Sequence, residues 1–124
     1  MNHLESAEDY LERILMLKEK KDFVRAIDIA NSMNFSKASV SIALKKLKDK
    51  KYVIVDEVSG GISLTEEGNE IAMSVYNRHK ALTRFFKCIG VNEEVALEDA
   101  CKVEHDLSEE TFSKLCEYVE KMEK

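Results

Sequence analysis

Several features are scarce or absent in this chain of 124 residues, and each absence narrows the range of folds and locations. With no proline and only four glycines, few positions break a helix, which favours long helices. The three cysteines are odd in number and lack a Cys-x-x-Cys spacing, which argues against a disulfide scaffold and against a zinc site of cysteines alone. No apolar run approaches the roughly 20 residues of a membrane span, and the acidic N-terminus lacks a signal-peptide pattern. These absences predict a cytoplasmic chain with no membrane partner.

The net charge of −5 is unevenly distributed along the chain. Apolar residues make up 44% and charged residues 35%, as in a soluble globular protein. Residues 21–51 carry eight Lys or Arg and three Asp, a net of +5, whereas residues 52–70 carry five Asp or Glu and no basic residue. One basic segment in an otherwise acidic chain indicates local contact with phosphates, as in nucleic acid. The alternative is an ordinary lysine-rich helix surface that faces solvent.

Hydrophobic periodicity and capping residues predict a mainly α fold. Helices are expected over 6–20, 25–33, 36–50, 65–87, 92–106 and from 108 onward, with strands over 52–55 and 62–64 around a turn at 56–61. Three helices followed by a two-stranded β-wing are the order of a winged helix-turn-helix. We therefore predict a winged helix-turn-helix DNA-binding domain over 1–70 and a helical metal-binding and dimerisation domain over 71–124.

The third predicted helix is the candidate for reading DNA, because the second helix of a helix-turn-helix unit enters the major groove. Small or polar side chains at its start leave the groove unobstructed, and lysines further along suit phosphates. The helix before it begins where backbone N–H groups favour phosphate, and the glycine-rich wing tip is small enough to approach a DNA backbone. The predicted DNA-binding residues are Arg25, Ser36, Lys37, Ala38, Ser39, Ser41, Lys45, Lys46 and Gly60. The alternative for Ser36 and Ser39 is that they only cap a surface helix.

Residue types that bind metals cluster near the end of the chain. Cys101, Glu104 and His105 lie at i, i+3 and i+4 of a predicted helix and therefore on one face. Their thiolate, carboxylate and imidazole together suit a transition metal such as iron, zinc, cobalt or manganese. The alternative for Cys101 is a small buried hydrophobic residue.

Three further residues are candidate ligands on other predicted helices. Asp9 and Glu12 lie at i and i+3 on one face of the first helix, where the alternative is that they complement the helix dipole. His79 lies in the middle of a long helix, where the alternative is a surface histidine bonded to water. Each of these residues by itself leaves both interpretations open.

The chain resembles the family of the diphtheria toxin repressor and the manganese transport regulator, which are metal-dependent repressors. The resemblance covers nearly the whole length, and its most specific stretch is Cys101–Ser108. The other stretches that carry it are Glu8–Ile14, Asp28–Ala30, Ser39–Ser41, Leu64–Gly68, Arg78–His79 and Ile89–Val91.

The resemblance implies a transcriptional repressor that binds a double-stranded DNA operator as a homodimer when loaded with Fe(II) or Mn(II), with Zn(II) or Co(II) as further candidates. It implies one or two ions per chain and a ligand set of Asp9, Glu12, His79, Cys101, Glu104 and His105. The set is a hybrid, because Cys101 agrees with the iron branch of the family whereas Asp9 agrees with the manganese branch. From the resemblance we expect this chain to lack the SH3-like domain of the larger iron regulators.

Three other functions are weighed against this one. A metal-independent winged-helix regulator would sense a small molecule or oxidation of the Cys101 thiol. A metallohydrolase would use the carboxylate-rich site, but the sequence has no HExxH, GxSxG or P-loop pattern, and we expect no enzyme. A purely structural helical dimer would leave the wing and the basic helix without a purpose. We expect Cys88 and Cys116 in the core rather than among the ligands.

Overall fold

The computed structural model describes the backbone of residues 3–123 and the side chains of residues 7–123. The described chain has six helices and two strands: α1 (His3–Lys20), α2 (Ala26–Met33), α3 (Lys37–Asp49), β1 (Val53–Val55), β2 (Ile62–Leu64), α4 (Glu66–Cys88), α5 (Glu93–Val103) and α6 (Glu109–Met122). It divides into two compact units, the first extending to Met73 and the second beginning at Ser74. Among the described helices, none combines the length and the apolar character that crossing a membrane requires.

The first unit is a winged helix-turn-helix, as predicted. Helices α1, α2 and α3, the two strands and the first part of α4 contribute to one core, whose fully buried members are Leu11, Ile14, Val24, Ile29, Val40 and Ala72. The strands β1 and β2 are antiparallel, and Val53 pairs with Leu64 while Val55 pairs with Ile62. The wing lies beside the segment before α2, because the Ile62 backbone N–H donates to the Val24 carbonyl at 2.8 Å.

The turn between α2 and α3 is built from residues suited to helix ends. Asn34 ends α2 in the left-handed region at φ 59°, which asparagine adopts more readily than most residues. Ser36 then caps α3, because its Oγ accepts the Ser39 backbone N–H at 3.1 Å. At the start of α2, Oδ2 of Asp28 accepts the Arg25 backbone N–H at 2.8 Å. The backbone conformation of Asn34 and the side chains of Ser36 and Asp28 therefore set the geometry around α2 and the turn to α3.

The wing tip is a closed turn. Oδ1 of Asp56 accepts the backbone N–H groups of Val58 at 2.8 Å and Ser59 at 3.1 Å. The Asp56 N–H donates to the Gly61 carbonyl at 2.9 Å, and Gly60 has φ +77°, where glycine carries no steric cost. These bonds close the hairpin turn.

The start of α4 is pressed against the wing. A Cβ placed on Gly68 would lie 2.0 Å from the carbonyl oxygen of Tyr52, so only glycine fits this position. Oγ1 of Thr65 accepts the Gly68 N–H at 3.0 Å and donates to the Lys51 carbonyl at 2.8 Å. Thr65 therefore caps α4, as predicted, and also joins its first turn to the chain before β1.

The second unit consists of the rest of α4 with α5 and α6, around the buried side chains Val75, Leu82, Ala96, Ala100 and Val119. Asn92 caps α5 by accepting the Glu94 N–H at 2.9 Å, and Ser108 caps α6 by accepting the Thr111 N–H at 3.1 Å. Both caps agree with the sequence-based prediction.

Two expectations for the second unit are wrong. The helix predicted over 92–106 is shorter, because α5 ends at Val103 and the carbonyls of Glu104 and Leu107 accept hydrogen bonds from Arg78 instead of continuing the helix. Cys88 is exposed rather than part of the core, because it is the last residue of α4. Cys116 is only half-buried.

Candidate metal centre and nucleic-acid interface

The carboxylate of Glu104 lies between two imidazoles in the second unit. Nδ1 of His79 is 3.2 Å from Oε2 of Glu104, and Nε2 of His105 is 3.4 Å from Oε1. The side chain of Glu104 is 0% exposed, that of His105 is 5% exposed and that of His79 is 14% exposed. Helix α4 supplies His79, and the turn after α5 supplies the other two residues.

Burial makes this carboxylate expensive to keep in an uncompensated state. Within the part of the chain that the structure describes, neither carboxylate oxygen of Glu104 accepts a hydrogen bond of acceptable geometry. The two carboxylate oxygens therefore lie beside two imidazole nitrogens but accept no hydrogen bond from them. This is the arrangement expected where a cation completes the site.

Cys101 adds a sulfur ligand to the same cluster. The ligand atoms of His79, Cys101 and Glu104 all lie within 4.8 Å of one another, so one ion can reach all three. Because a thiolate, an imidazole and a carboxylate together suit a borderline transition metal, the donor set fits such an ion. Cys101 itself is exposed, which differs from its alternative interpretation as a buried hydrophobic residue.

The other two predicted ligands, Asp9 and Glu12, lie on α1 in the first unit. Glu12 is 6% exposed and Asp9 is half-buried. Across residues 7–123, the strongly buried charged side chains are Glu12 and Glu104, and the sequence predicts both as ligands. Since an isolated surface helix would expose a carboxylate, the burial of Glu12 argues against a simple helix-dipole role.

Sequence reasoning missed Arg78, which fixes the backbone around the cluster. Its Nη1 atom donates to the carbonyls of Glu104 and Leu107, each at 3.0 Å, and its guanidinium lies 5.1 Å from the centre of the Phe112 ring. Arg78 therefore determines where α5 stops and where the side chains of Glu104 and His105 begin. The signal for it in the sequence is that Arg78–His79 is one of the stretches that carry the family resemblance.

The predicted DNA-binding residues lie at three places in the first unit. Arg25 is the exposed N-cap residue of α2, and Gly60 is half-buried in the wing turn. The third place is the N-cap and outer surface of α3, where Ser36, Lys37, Ala38, Ser39, Ser41, Lys45 and Lys46 are all exposed.

Ser36 has the capping role that was its alternative interpretation, whereas Ser39 takes part in that cap only as the backbone N–H donor. Ser36 caps α3, and its hydroxyl donates to Oγ of Ser39 at 2.9 Å. Arg25 has its guanidinium 5.8 Å from the ring centre of Phe23, beside the wing turn. Exposure leaves the hydroxyls and the guanidinium accessible to a further partner.

The first unit is a winged helix with lysines along α3, and the second unit carries side chains that fit a transition metal. These two features together are typical of one class of protein, the metal-responsive DNA-binding regulators. The chain belongs to the iron-dependent repressor family. One sequence model of the family, described as the iron dependent repressor N-terminal DNA binding domain, matches residues 3–60. A second, described as the iron dependent repressor metal binding and dimerisation domain, matches residues 65–124. The family resemblance inferred from the sequence is confirmed.

Two curated relatives illustrate the match. An uncharacterised HTH-type transcriptional regulator of Methanocaldococcus jannaschii is 38% identical over 119 residues, which cover 94% of each chain. The HTH-type transcriptional regulator MntR of Bacillus subtilis is 35% identical over 118 residues, covering 95% of this chain and 82% of the relative.

Solved structures show the same fold. The manganese regulator SloR superposes with a TM-score of 0.80 at 29% identity over 92% of this chain and 53% of SloR. IdeR of T. acidophilum superposes with a TM-score of 0.78 at 29% identity over 90% of this chain and 52% of IdeR. This chain therefore spans about half the length of these solved chains. The winged helix-turn-helix followed by a helical dimerisation domain is confirmed as the fold class.

Proposed function

We propose that this chain is a transcriptional repressor that binds promoter DNA as a homodimer when it is loaded with Fe(II), Mn(II) or a similar divalent ion. The observation that carries the proposal is the fully buried carboxylate of Glu104, which lies 3.2 Å from one imidazole and 3.4 Å from another. A site with nitrogen, oxygen and sulfur ligands and no satisfying proton donor for its carboxylate is suited to a cation.

His79, Cys101, Glu104 and His105 would hold the ion in the second unit, and Asp9 and Glu12 remain predicted ligands from the family resemblance. The ion would supply positive charge next to buried acidic groups. The protein residues provide the rest: His79 and His105 lie beside the carboxylate, and Arg78 donates to the backbone carbonyl of Glu104. One or two ions per chain are compatible with six ligands.

Metal would act as a switch if the DNA-binding state holds the ion more tightly than the other states do. Added positive charge also eases the approach to DNA of a chain with a net charge of −5. In a homodimer, two copies of α3 would enter successive major grooves about 34 Å apart.

The exposed apolar side chains of the second unit support the homodimer. Large exposed apolar groups concentrated in a small unit are typical of a surface that another chain covers. They are Ile89, Val95, Leu97, Tyr118 and Met122, which are between 43% and 56% exposed.

The proposal also assigns a function to each domain and a cellular location to the protein. We assign DNA binding to residues 1–70 and metal binding with dimerisation to residues 71–124. The relatives are regulators, and we extend this role to the chain, which on this proposal regulates transcription and catalyses no reaction. A regulator of promoter DNA acts where the DNA is, and we place this one in the cytoplasm.

The test is binding to the promoter DNA of its own gene by fluorescence anisotropy, under anaerobic conditions. Binding is measured with a chelator and then with Fe(II), Mn(II), Zn(II) and Co(II) in turn. We expect tight binding only with metal, and Glu104→Gln should lose this response. Glu98→Gln, which changes an exposed carboxylate of α5, is the matched control and should retain it. Equal binding with chelator and with every ion would overturn the metal switch and favour the thiol-sensing or small-molecule alternative.

A further inference from the structure

One large apolar side chain lies on the outer surface of the reading helix. Ile42 is 60% exposed, and within Lys37–Asp49 it is the large apolar residue that solvent reaches, whereas Val40, Leu44 and Leu47 are buried. Isoleucine is a weaker helix former than the straight-chain residues that usually occupy a solvent-facing position. Neither core packing nor helix propensity therefore explains isoleucine at this position.

The neighbours of Ile42 on the helix surface suit DNA rather than a protein partner. The positions three and four residues away on either side are Ala38, Ser39, Lys45 and Lys46, and all four are exposed. Small side chains on the N-terminal side leave room for base edges, and two lysines on the C-terminal side match phosphates. Ile42 lies at the centre of this cationic surface. Such an arrangement suits contact with an apolar group inside the anionic groove of DNA.

The major groove of DNA offers one prominent apolar group, the C5-methyl of thymine. An isoleucine side chain is stiff at χ1, so it presents a fixed methyl surface with little entropy to lose on contact. We infer that Ile42 is a specificity-determining residue that reads a thymine methyl group in the operator. This inference rests on the proposed DNA-binding function.

The experiment uses full-length protein with Mn(II) and a duplex that the protein has selected from a random-sequence library. Each thymine of that duplex is replaced in turn by deoxyuridine, which removes only the C5-methyl group. For wild-type protein we expect about fourfold weaker binding at one or two positions, the ratio that corresponds to ~0.8 kcal/mol for one apolar carbon removed from water.

The Ile42→Ala variant should bind the thymine and deoxyuridine duplexes equally at those positions. Ile54→Ala is the matched control, because Ile54 is also an exposed isoleucine of the first unit, at 57%, but lies on β1. The control should retain the fourfold discrimination. Ile42→Gln should shift the preferred base at the same positions from thymine towards adenine, which glutamine binds through two hydrogen bonds.

Each other outcome overturns the inference in a distinct way. If wild-type protein binds the thymine and deoxyuridine duplexes equally at every position, the protein reads no thymine methyl group. Discrimination that survives in Ile42→Ala assigns the reading to another residue. If Ile42→Ala changes the mass of the protein in solution but still discriminates thymine from deoxyuridine, Ile42 contacts another protein chain and not DNA. Failure to select or bind any duplex would overturn the proposed function itself, before Ile42 is tested.

Discussion

Nδ1 of His79 lies 3.2 Å from Oε2 of Glu104, while the preceding residue, Arg78, donates to the backbone carbonyl of the same glutamate at 3.0 Å. Two consecutive residues of α4 thus lie against one buried glutamate, His79 beside its carboxylate and Arg78 bonded to its main chain. Because side chains that coordinate metals need a fixed backbone, Arg78 would support the proposed metal site although it offers no ligand atom.

Replacing Arg78 by leucine should weaken both the fold and metal binding. The carbonyls of Glu104 and Leu107 would lose their charged donor, which costs about 1.5–3 kcal/mol for hydrogen bonds to a charged group. Loss of such supporting contacts lowers metal affinity by about 10–100-fold. Urea unfolding measures the first effect and calorimetric titration with Mn(II) the second.

Arg84→Leu is the control for removing an arginine from α4. Arg84 is 55% exposed and pairs with Glu123, so this change should cost less than about 1 kcal/mol and leave metal affinity unchanged. Equal metal affinity in the Arg78 and Arg84 variants would show that Arg78 has no positioning role.

Cys101→Glu should change which metal the protein prefers. Thiolate favours softer ions, so replacing it by a carboxylate should raise the affinity for Mn(II) relative to Zn(II) by about tenfold. Anaerobic competition with a chelator of known affinity measures the ratio. Cys88→Ser removes another exposed cysteine outside the cluster and should leave the ratio as it is. The prediction fails if both variants keep the wild-type preference.

Gly68→Ala should destabilise the protein, although glycine to alanine normally stabilises a helix by up to about 1 kcal/mol. The added Cβ would meet the Tyr52 carbonyl oxygen at 2.0 Å, and overpacking of this kind costs about 1–3 kcal/mol or more. Thermal unfolding followed by circular dichroism gives the change.

Gly90→Ala makes a useful comparison, because φ is +99° there but nothing lies within 4 Å of the new Cβ. Backbone strain alone should cost about 1–2 kcal/mol at this position. A stabilised Gly68→Ala variant would contradict the close approach of α4 to Tyr52.

Asp28 should give the first unit a pH-dependent contribution to stability. The hydrogen bond from Lys21 and the backbone N–H of Arg25 lower the pKa of Asp28 below its ordinary value of 3.8. Because the folded state has the lower pKa, the contribution is present above the ordinary pKa and is lost as the pH falls through the folded-state value. Asp28→Asn should therefore be less stable than wild type at pH 7, and the difference should shrink in acid.

The measurement for Asp28 is urea unfolding of wild type and variant at several pH values between neutral and strongly acidic. Asp22→Asn, at an exposed position before α2, controls for the loss of one negative charge. A stability difference for Asp28→Asn that stays constant down to the lowest pH would contradict the assigned hydrogen bonds.

Much of this fold could be predicted because local signals and tertiary packing agree. Ser36, Thr65, Asn92 and Ser108 all precede helices, and all four side chains cap them. The end of α5 could not be predicted, because it depends on Arg78 from a distant part of the chain, and no local pattern encodes that contact.

The sequence also predicted part of the candidate cluster. The spacing of Cys101 and Glu104 places them on one side of a helix, whereas the approach of His79 is a tertiary contact that only the family resemblance suggested. Spacing also gave no indication that Glu104 would be fully buried. Burial depends on how the helices of the folded unit enclose a residue, which hydrophobic periodicity does not report for a charged side chain.

The hydrogen bond from the Ile62 N–H to the Val24 carbonyl has a consequence for self-association. A two-stranded sheet has two edges, and an uncovered edge can recruit a strand from another molecule and start aggregation. Here the segment before α2 already occupies the outer N–H of β2 at Ile62. The hairpin is therefore protected at that point against edge-to-edge polymerisation.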